Sequence, residues 1–420
     1  MNKDNKILKV IVELFRVIVG VTFAFSGFVK AVDPLGFTYK IQDYLISFDL
    51  VSLFPFALPV AIIMVVAEML IGIFLLLGIY RKTSTIAVTI FMAFFLPLTL
   101  WIAIYNPVED CGCFGDAWVI SNWQTFYKNI VLFIGSLVLL FNYKVLKPVY
   151  SIKFAWIAAS IVIVFGFSFA IYNTVKLPVF DFRPFKIGAN IAEQMEVDPE
   201  NEDTVENIFI YSKDGVEKEF TEDNYPWDDS TWVYVDMTTR VISKGEAPKI
   251  EDFHIGLFDF DNEIQEDITD KVLNNPDYTF LMVSYFVDKM NMKHYHKFVK
   301  AQRFANDNNI DFYLLTSSLE QSIIHWKEVR GDDFEIAEAD ERVLKTMIRS
   351  NPGLILLHNG TVINKWDDSE IPIFQKAPLE TFNKVDKQNI NFWYKLVVIF
   401  LLLLIPLGLL KTVDLRYNDN

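Results

Sequence analysis

Apolar residues gather in runs toward the two ends of this chain and thin out between them. Six runs approach or exceed the roughly 20 apolar residues that cross a hydrocarbon core. They are Ile7–Phe28, Leu53–Tyr80, Thr83–Tyr105, Trp123–Phe141, Phe154–Val175 and Phe392–Leu410, and each predicts a spanning helix. Pro55 and Pro59 sit early in the second run, so irregular or tilted first turns are expected there. The first run has the look of a secretory signal, but further spans follow it, so it is read as a membrane helix. Short connections between the first four spans predict an antiparallel four-helix bundle in residues 1–150. A fifth helix is expected in 151–180, and a sixth with a short tail in 389–420.

Between the last two spans the pattern changes to that of a soluble α/β region. In 181–249, a β-rich lead-in, Asn207–Tyr211 and Val216–Phe220 flank Asp214-Gly215, a hairpin signal, and Trp232–Asp236 reads as another strand. In 250–388, His254–Phe260 alternates toward a turn at Asp261-Asn262, and Thr279–Phe286 is a near-continuous apolar strand. Met292–Asn306 has helical period, Asp311–Leu315 is a second strand and Leu319–Val329 a second helix. Leu354–Leu357 and Val362–Lys365 form a hairpin around Asn359-Gly360. Strand, helix, strand, helix and hairpin imply a mixed sheet with a right-handed crossover.

Composition fits this division. Hydrophobic residues make up 52% of the chain, yet the net charge is −15, and the acidic excess lies in the middle segment. So acidic a chain has no general attraction for nucleic acid, and no Gly-rich phosphate loop is present. If the spans alternate, Lys3, Lys6, Arg81, Lys82, Lys144, Lys147, Lys153, Lys411 and Arg416 share one side, which should be the cytoplasm. Lys30 and Lys40 are exceptions. Both termini are then cytoplasmic. The loop at Lys30–Ser52, the loop after the third span and the soluble region face outward, toward the periplasm of a bacterial inner membrane.

The chain has two cysteines, in Cys111-Gly112-Cys113-Phe114-Gly115, within the loop between spans three and four. Cα atoms at i and i+2 lie about 5 to 7 Å apart, within reach of a disulfide, and Gly112 relaxes the backbone between them. So small a ring gains little from restricting the unfolded chain, and a strained, exposed disulfide is labile. A reversible dithiol is the sharpest reading. Inert thiols, a static loop disulfide and half of a metal site stay open, although no histidine lies nearby for a metal. Glu109, Asp110 and Asp116 are expected to raise the thiol pKa values, against a strongly activated nucleophile.

Charges inside spans are costly and face partners or cavities. Glu13 and Arg16, at i and i+3, can pair. Glu68 has no basic residue on its own helix; it reads as a protonated acid, as a partner of Arg16 or Lys30, or as a proton carrier. Gly20, Gly27, Gly72 and Gly78 suit close helix approach.

The stretch Arg16, Gly20, Phe23, Ser26-Gly27, Lys30, Asp33-Pro34-Leu35-Gly36-Phe37 and Lys40, with Ala67-Glu68 and Gly72, resembles the DoxX-like membrane proteins. The cysteine pentapeptide followed by Trp123 and Asn129 resembles, more narrowly, their methylamine-utilisation MauE branch. The resemblance covers about residues 7–145. It implies a four-helix core and assistance to disulfide formation in extracytoplasmic proteins. Arg16, Lys30, Asp33 and Glu68 are then expected to line a polar pocket in the bundle, for a quinone-like or lipid ligand.

The element order in 250–387, with Asn351-Pro352 before the hairpin, resembles the thioredoxin-like fold. That resemblance implies a cis-proline at Pro352 presenting backbone to a partner chain. The departure is at Val287-Asp288-Lys289-Met290-Asn291-Met292, where the family carries Cys-x-x-Cys and this chain has no cysteine. His294 and His296 read as helix-start or surface residues and not as a metal pair. The expected protein is therefore a membrane-embedded accessory of thiol–disulfide chemistry, with Cys111 and Cys113 as its redox pair and a protein client as its partner. The alternative is an anchored, non-enzymatic subunit of an envelope complex. Few internal charges leave little pathway for transport.

Overall fold

The computed structural model describes residues 3–108, 111–197, 204–213, 215–222, 224–243, 248–251, 253–258, 266–374, 379–385 and 388–419. The N-terminal region is helical: α1 (Lys3–Val32), α2 (Pro34–Ser47), α3 (Phe54–Leu77), α4 (Arg81–Tyr105), α5 (Asn122–Phe141) and α6 (Ile152–Val175). α1 packs along α3 and touches α5 and α6, and α4 packs on α5. Glycine sets the α1–α3 distance: a Cβ on Gly72 would stand 2.2 Å from the Ala24 backbone nitrogen, and one on Gly27 2.3 Å from that of Met69. Such approach maximises packing where the surrounding medium gives no hydrophobic drive. Val12, Val19, Phe23, Leu75, Met92 and Leu139 fill the centre of the bundle, while Val10, Leu14, Val17, Ile63, Ile90 and Phe94 point outward.

Among the described residues five helices are long and apolar enough to cross a membrane: Val51–Leu77, Arg81–Tyr105, Asn122–Phe141, Ile152–Val175 and Asn391–Asn418. The first expected span, Ile7–Phe28, forms the body of α1 but is not among the five. It carries Glu13 and Arg16, with Lys30 in its last turn.

One helix falls where a loop was expected. Within Lys30–Ser52, Asp33 caps α2 by accepting a hydrogen bond from the Gly36 amide at 2.9 Å, and Pro34 occupies the first turn. The Asp-Pro pair is a helix-start signal, a side-chain acceptor followed by a pre-set φ; read as a turn, it hid a 14-residue helix.

Beyond α6 the chain leaves the bundle, forms the short α7 (Ile191–Met195) and then a three-stranded antiparallel sheet. Its strands are β1 (Thr204–Lys213), β2 (Val216–Phe220) and β3 (Val233–Ser243), in the order β2-β1-β3. The expected hairpin is present, with Gly215 at φ 78° and Phe209 opposite Phe220; Asp214 lies outside the described residues.

The larger sheet is mixed. It contains β4 (Gly256–Leu257), β5 (Glu266–Asp267), β6 (Tyr278–Val283), β7 (Asp311–Thr316), β8 (Glu335–Glu338), β9 (Gly353–His358) and β10 (Thr361–Asp367). Their order is β10-β9-β6-β7-β8-β4-β5. β6, β7 and β8 run parallel, with Val283 beside Leu315 and Leu315 beside Ala337, and the remaining pairings are antiparallel. α8 (Thr269–Leu273) precedes β6, α9 (Tyr295–Asp307) and α10 (Glu320–Arg330) make the crossovers, and α11 (Glu341–Met347) leads toward β9.

Helices and loops cover both faces, which is why the central strands read as unbroken apolar runs. Phe280 and Met282 enter one core, Leu281 and Val283 the other. β4 falls within the alternating stretch His254–Phe260, whereas β5, β8 and α11 were not expected, so the parallel part has three strands where two were read. The turn expected at Asp261-Asn262 lies outside the described residues. α12 (Gln388–Asp419) returns to pack on α6.

Candidate functional site

The cysteine loop lies on the C-terminal turns of α1. Ser26 Oγ donates to the Cys113 carbonyl at 2.5 Å, the Phe25 and Phe114 rings sit 5.6 Å apart, and a Cβ on Gly115 would meet Val29 Cγ1 at 3.6 Å. From α2, Tyr44 OH donates to the Cys111 carbonyl at 3.3 Å. Gly112 holds φ 65°, a left-handed conformation that glycine adopts without a Cβ clash. That turn brings the two Sγ atoms to 3.2 Å as free thiols, Cys111 buried and Cys113 half-buried.

The two thiols are not equivalent. The hydrogen bond from Cys111 favours the Cys113 thiolate, and Lys128 and Lys30 add positive charge, so Cys113 lies lowered to about 6 despite its burial. Cys111 is pushed well above the usual thiol value, by that same hydrogen bond and then by burial. Cys111 is raised as expected, while Cys113 departs from the expectation. The acidic neighbours in sequence suggested raised values, but Lys30 and Lys128 reach the loop from α1 and α5 across the fold. Glu109 and Asp110 lie outside the described residues. Lys128 Nζ also sits 4.3 Å from the centroid of the Phe114 ring, which stacks on Trp118.

The four polar residues expected to share one pocket fall in three places. Lys30 and Glu68 meet, Nζ to Oε2 at 2.7 Å, both buried between α1 and α3. Arg16 turns to the far end of α3, where its Nε donates to the Leu75 carbonyl at 2.9 Å and its Nη2 to that of Leu76 at 2.6 Å, while Nη1 pairs with Glu13. It therefore caps α3. Asp33 leaves the bundle altogether: its carboxylate takes Arg349 Nε at 3.0 and 2.9 Å and Nη2 at 2.8 Å, joining α2 to the α/β domain. Tyr39 lies under Lys345 and Arg349 in the same contact.

Residues 8–142 match the family model of the methylamine utilisation protein MauE. The chain is a multi-pass membrane protein with an α/β domain appended to this MauE-like region. Residues 205–244, the three-stranded sheet, match a domain of unknown function, DUF8463. No curated protein and no solved structure matches. The MauE match ends before α6, so it covers α1 to α5 with the cysteine loop, and neither Arg349 nor the larger sheet. Within it, Asn129 ties α5 to α4 through Thr99 Oγ1 at 3.2 Å, a packing role.

In the α/β domain the Asn351–Pro352 peptide bond is cis. Asn351 Oδ1 accepts from Ser284 Oγ at 2.8 Å and from the Tyr285 amide at 3.1 Å, and its carbonyl accepts from the Asn291 amide at 2.9 Å. The Pro352 turn is thus tied to the loop after β6, the segment expected to carry cysteines in a thioredoxin-like domain. His294 Nδ1 pairs with Asp368 at 3.0 Å. Among the described residues no group of three His, Cys, Asp or Glu side chains is placed to hold a metal ion. Tyr44, Lys128 and Arg349 escaped the sequence reading, because each acts through a partner distant in the chain and none stands in a motif; Ser26 stood in the quoted stretch, but its bond to the loop was not foreseen.

Proposed function

We propose that this protein is a membrane accessory of extracytoplasmic thiol–disulfide exchange, with Cys113 as the attacking thiolate and Cys111 as the resolving thiol. The observation that carries the reading is the pair of free sulfurs 3.2 Å apart, one of them lowered to about 6 at a half-buried position. A low-pKa thiolate beside a resolving thiol is the arrangement exchange requires. The α/β domain, thioredoxin-like in its strand order and its cis-Pro352, would hold the protein client or redox partner without thiols of its own. The lysine and arginine bias directs the cysteine loop and this domain outward from a bacterial inner membrane. No shared polar pocket for a quinone-like ligand supports this reading, since Lys30 and Glu68 hold each other, Arg16 caps α3 and Asp33 pairs with Arg349.

Thiol trapping in growing cells tests the reading: a pair that stays in one redox state under every growth condition refutes it. One observation favours a second reading. The loop at Val287–Met292 lacks cysteines while the domain is bolted to the bundle through Asp33 and Arg349, as suits an anchored subunit of an envelope complex. Under that reading C111S/C113S leaves assembly and function intact.

A further inference from the structure

A thiolate at half-buried Cys113 needs positive charge beside it. The loop lies along Phe25, Ser26 and Val29, and Lys30 follows Ser26 by four residues, one turn further along the same face of α1. Its ammonium lies within electrostatic range of both thiols, and Glu68 on α3 holds it at 2.7 Å. Lys128 approaches from α5, its ammonium over the Phe114 ring. α2 offers the Tyr44 hydroxyl, and the loop itself contributes Cys111 and Asp116.

A buried Lys–Glu pair contributes little net stability, since desolvation offsets attraction, and well-packed apolar residues serve as well. Its position under a dithiol gives it another use. We propose that Lys30 is the fixed counter-charge of the Cys113 thiolate, a positioning residue, and that Glu68 sets how much of that charge the thiolate receives. The proposal rests on the thiol-exchange reading and specifies its first step.

In that step Cys113 Sγ, as thiolate, attacks one sulfur of a partner protein's disulfide. The partner's S–S bond breaks, a mixed disulfide forms with Cys113, and the first partner sulfur leaves as thiolate. That thiolate takes the proton of Cys111. Cys111 Sγ then attacks Cys113 Sγ, closes the Cys111–Cys113 disulfide and expels the second partner thiolate. The partner is reduced by two electrons and the pair is oxidised by two. Lys30 keeps its proton throughout.

The test is the pH profile of Cys113 alkylation by iodoacetamide, in the full chain in lipid nanodiscs on a C111S background. Lys30→Gln should raise the midpoint by about one unit, so alkylation at a pH below the midpoint falls about tenfold. Glu68→Gln, which frees the ammonium, should move the midpoint the other way, and Lys30→Arg should keep it near the parent value. A pair that only packs the bundle moves the profile in the same direction for both neutral variants, or not at all; either result overturns the proposal. Should Lys30→Gln fail to fold, the sign of the Glu68→Gln shift decides alone. The midpoint does not depend on whether the pair cycles in cells. Shifts as predicted with a pair frozen in cells refute the exchange reading and leave the counter-charge standing; a cycling pair with unmoved midpoints does the reverse.

Discussion

Replacing Asp33 by Asn isolates one charge at the junction between bundle and α/β domain. Asparagine caps a helix as well as aspartate does, so the Gly36 hydrogen bond and the start of α2 survive. What is lost is the anion facing Arg349, whose side chain is 6% exposed against 19% for Asp33. Removing one partner of a buried pair strands the other; at the lower end of that effect, suited to a partly exposed carboxylate, the cost is about 3 kcal/mol, or roughly two orders of magnitude in the docking equilibrium. Hydrogen exchange of the full chain in nanodiscs reads it: amides of α2 and α11 should both exchange roughly two orders of magnitude faster wherever opening of the junction governs exchange. D33N/R349M removes the stranded guanidinium and should recover much of the loss, giving a clear coupling energy. Acid gives an independent check. Burial would raise the Asp33 carboxyl, but Arg349 and Arg183 hold it below the usual carboxylate range. Its contribution is therefore full above the unfolded value near 4 and fades as pH falls through the lower folded value. The acid loosening should be absent in D33N. Faster exchange confined to the first turn of α2, with α11 unchanged, would refute the reasoning.

Further outcomes follow from the same geometry. Gly72→Ala places a methyl 2.2 Å from the Ala24 nitrogen and should destabilise the bundle by about 3 kcal/mol, whereas Gly408→Ala, with nothing within 4 Å of its Cβ, should be neutral; thermal unfolding in detergent compares them. Lys365 is lowered to about 8 from 10.5 by burial, against its 2.9 Å pairing with Asp181. Between those values the unfolded chain binds a proton that the folded chain does not, so stability should rise with pH across that window and the rise should vanish in K365M, as denaturant midpoints at several pH values would show. Ser121→Ala removes the side-chain half of a capping box at the start of α5 and should cost about 1 kcal/mol, seen as faster exchange in that turn alone.

What the sequence made legible was whatever repeats along one element. Continuous apolar runs marked the bundle helices and the buried strands, and Gly27 and Gly72 marked the close contact of α1 and α3. The cysteine pair, the Lys30–Glu68 option and the cis geometry at Pro352 were all visible as residues. Their grouping was not. Arg16 and Lys30 share a helix but stand fourteen positions apart, so Lys30 meets Glu68 in the body of α3 while Arg16 caps its C-terminal end. Asp33 looked like part of a bundle motif, yet its partner is Arg349, and nothing local to either residue reveals the other. Cys113 departs from what its acidic sequence neighbours suggested for a similar reason: Cys111 bonds to it across the turn, and Lys128 arrives from the helix beyond the loop.

α2 is held by the α/β domain at Asp33 and Tyr39, and at Tyr44 it reaches the Cys111 carbonyl. A displacement of the α/β domain at Arg349 is therefore transmitted along a single helix to the backbone of the cysteine loop. Substitutions far from any sulfur, at the largely buried start of this helix, belong among those to screen for altered thiol reactivity.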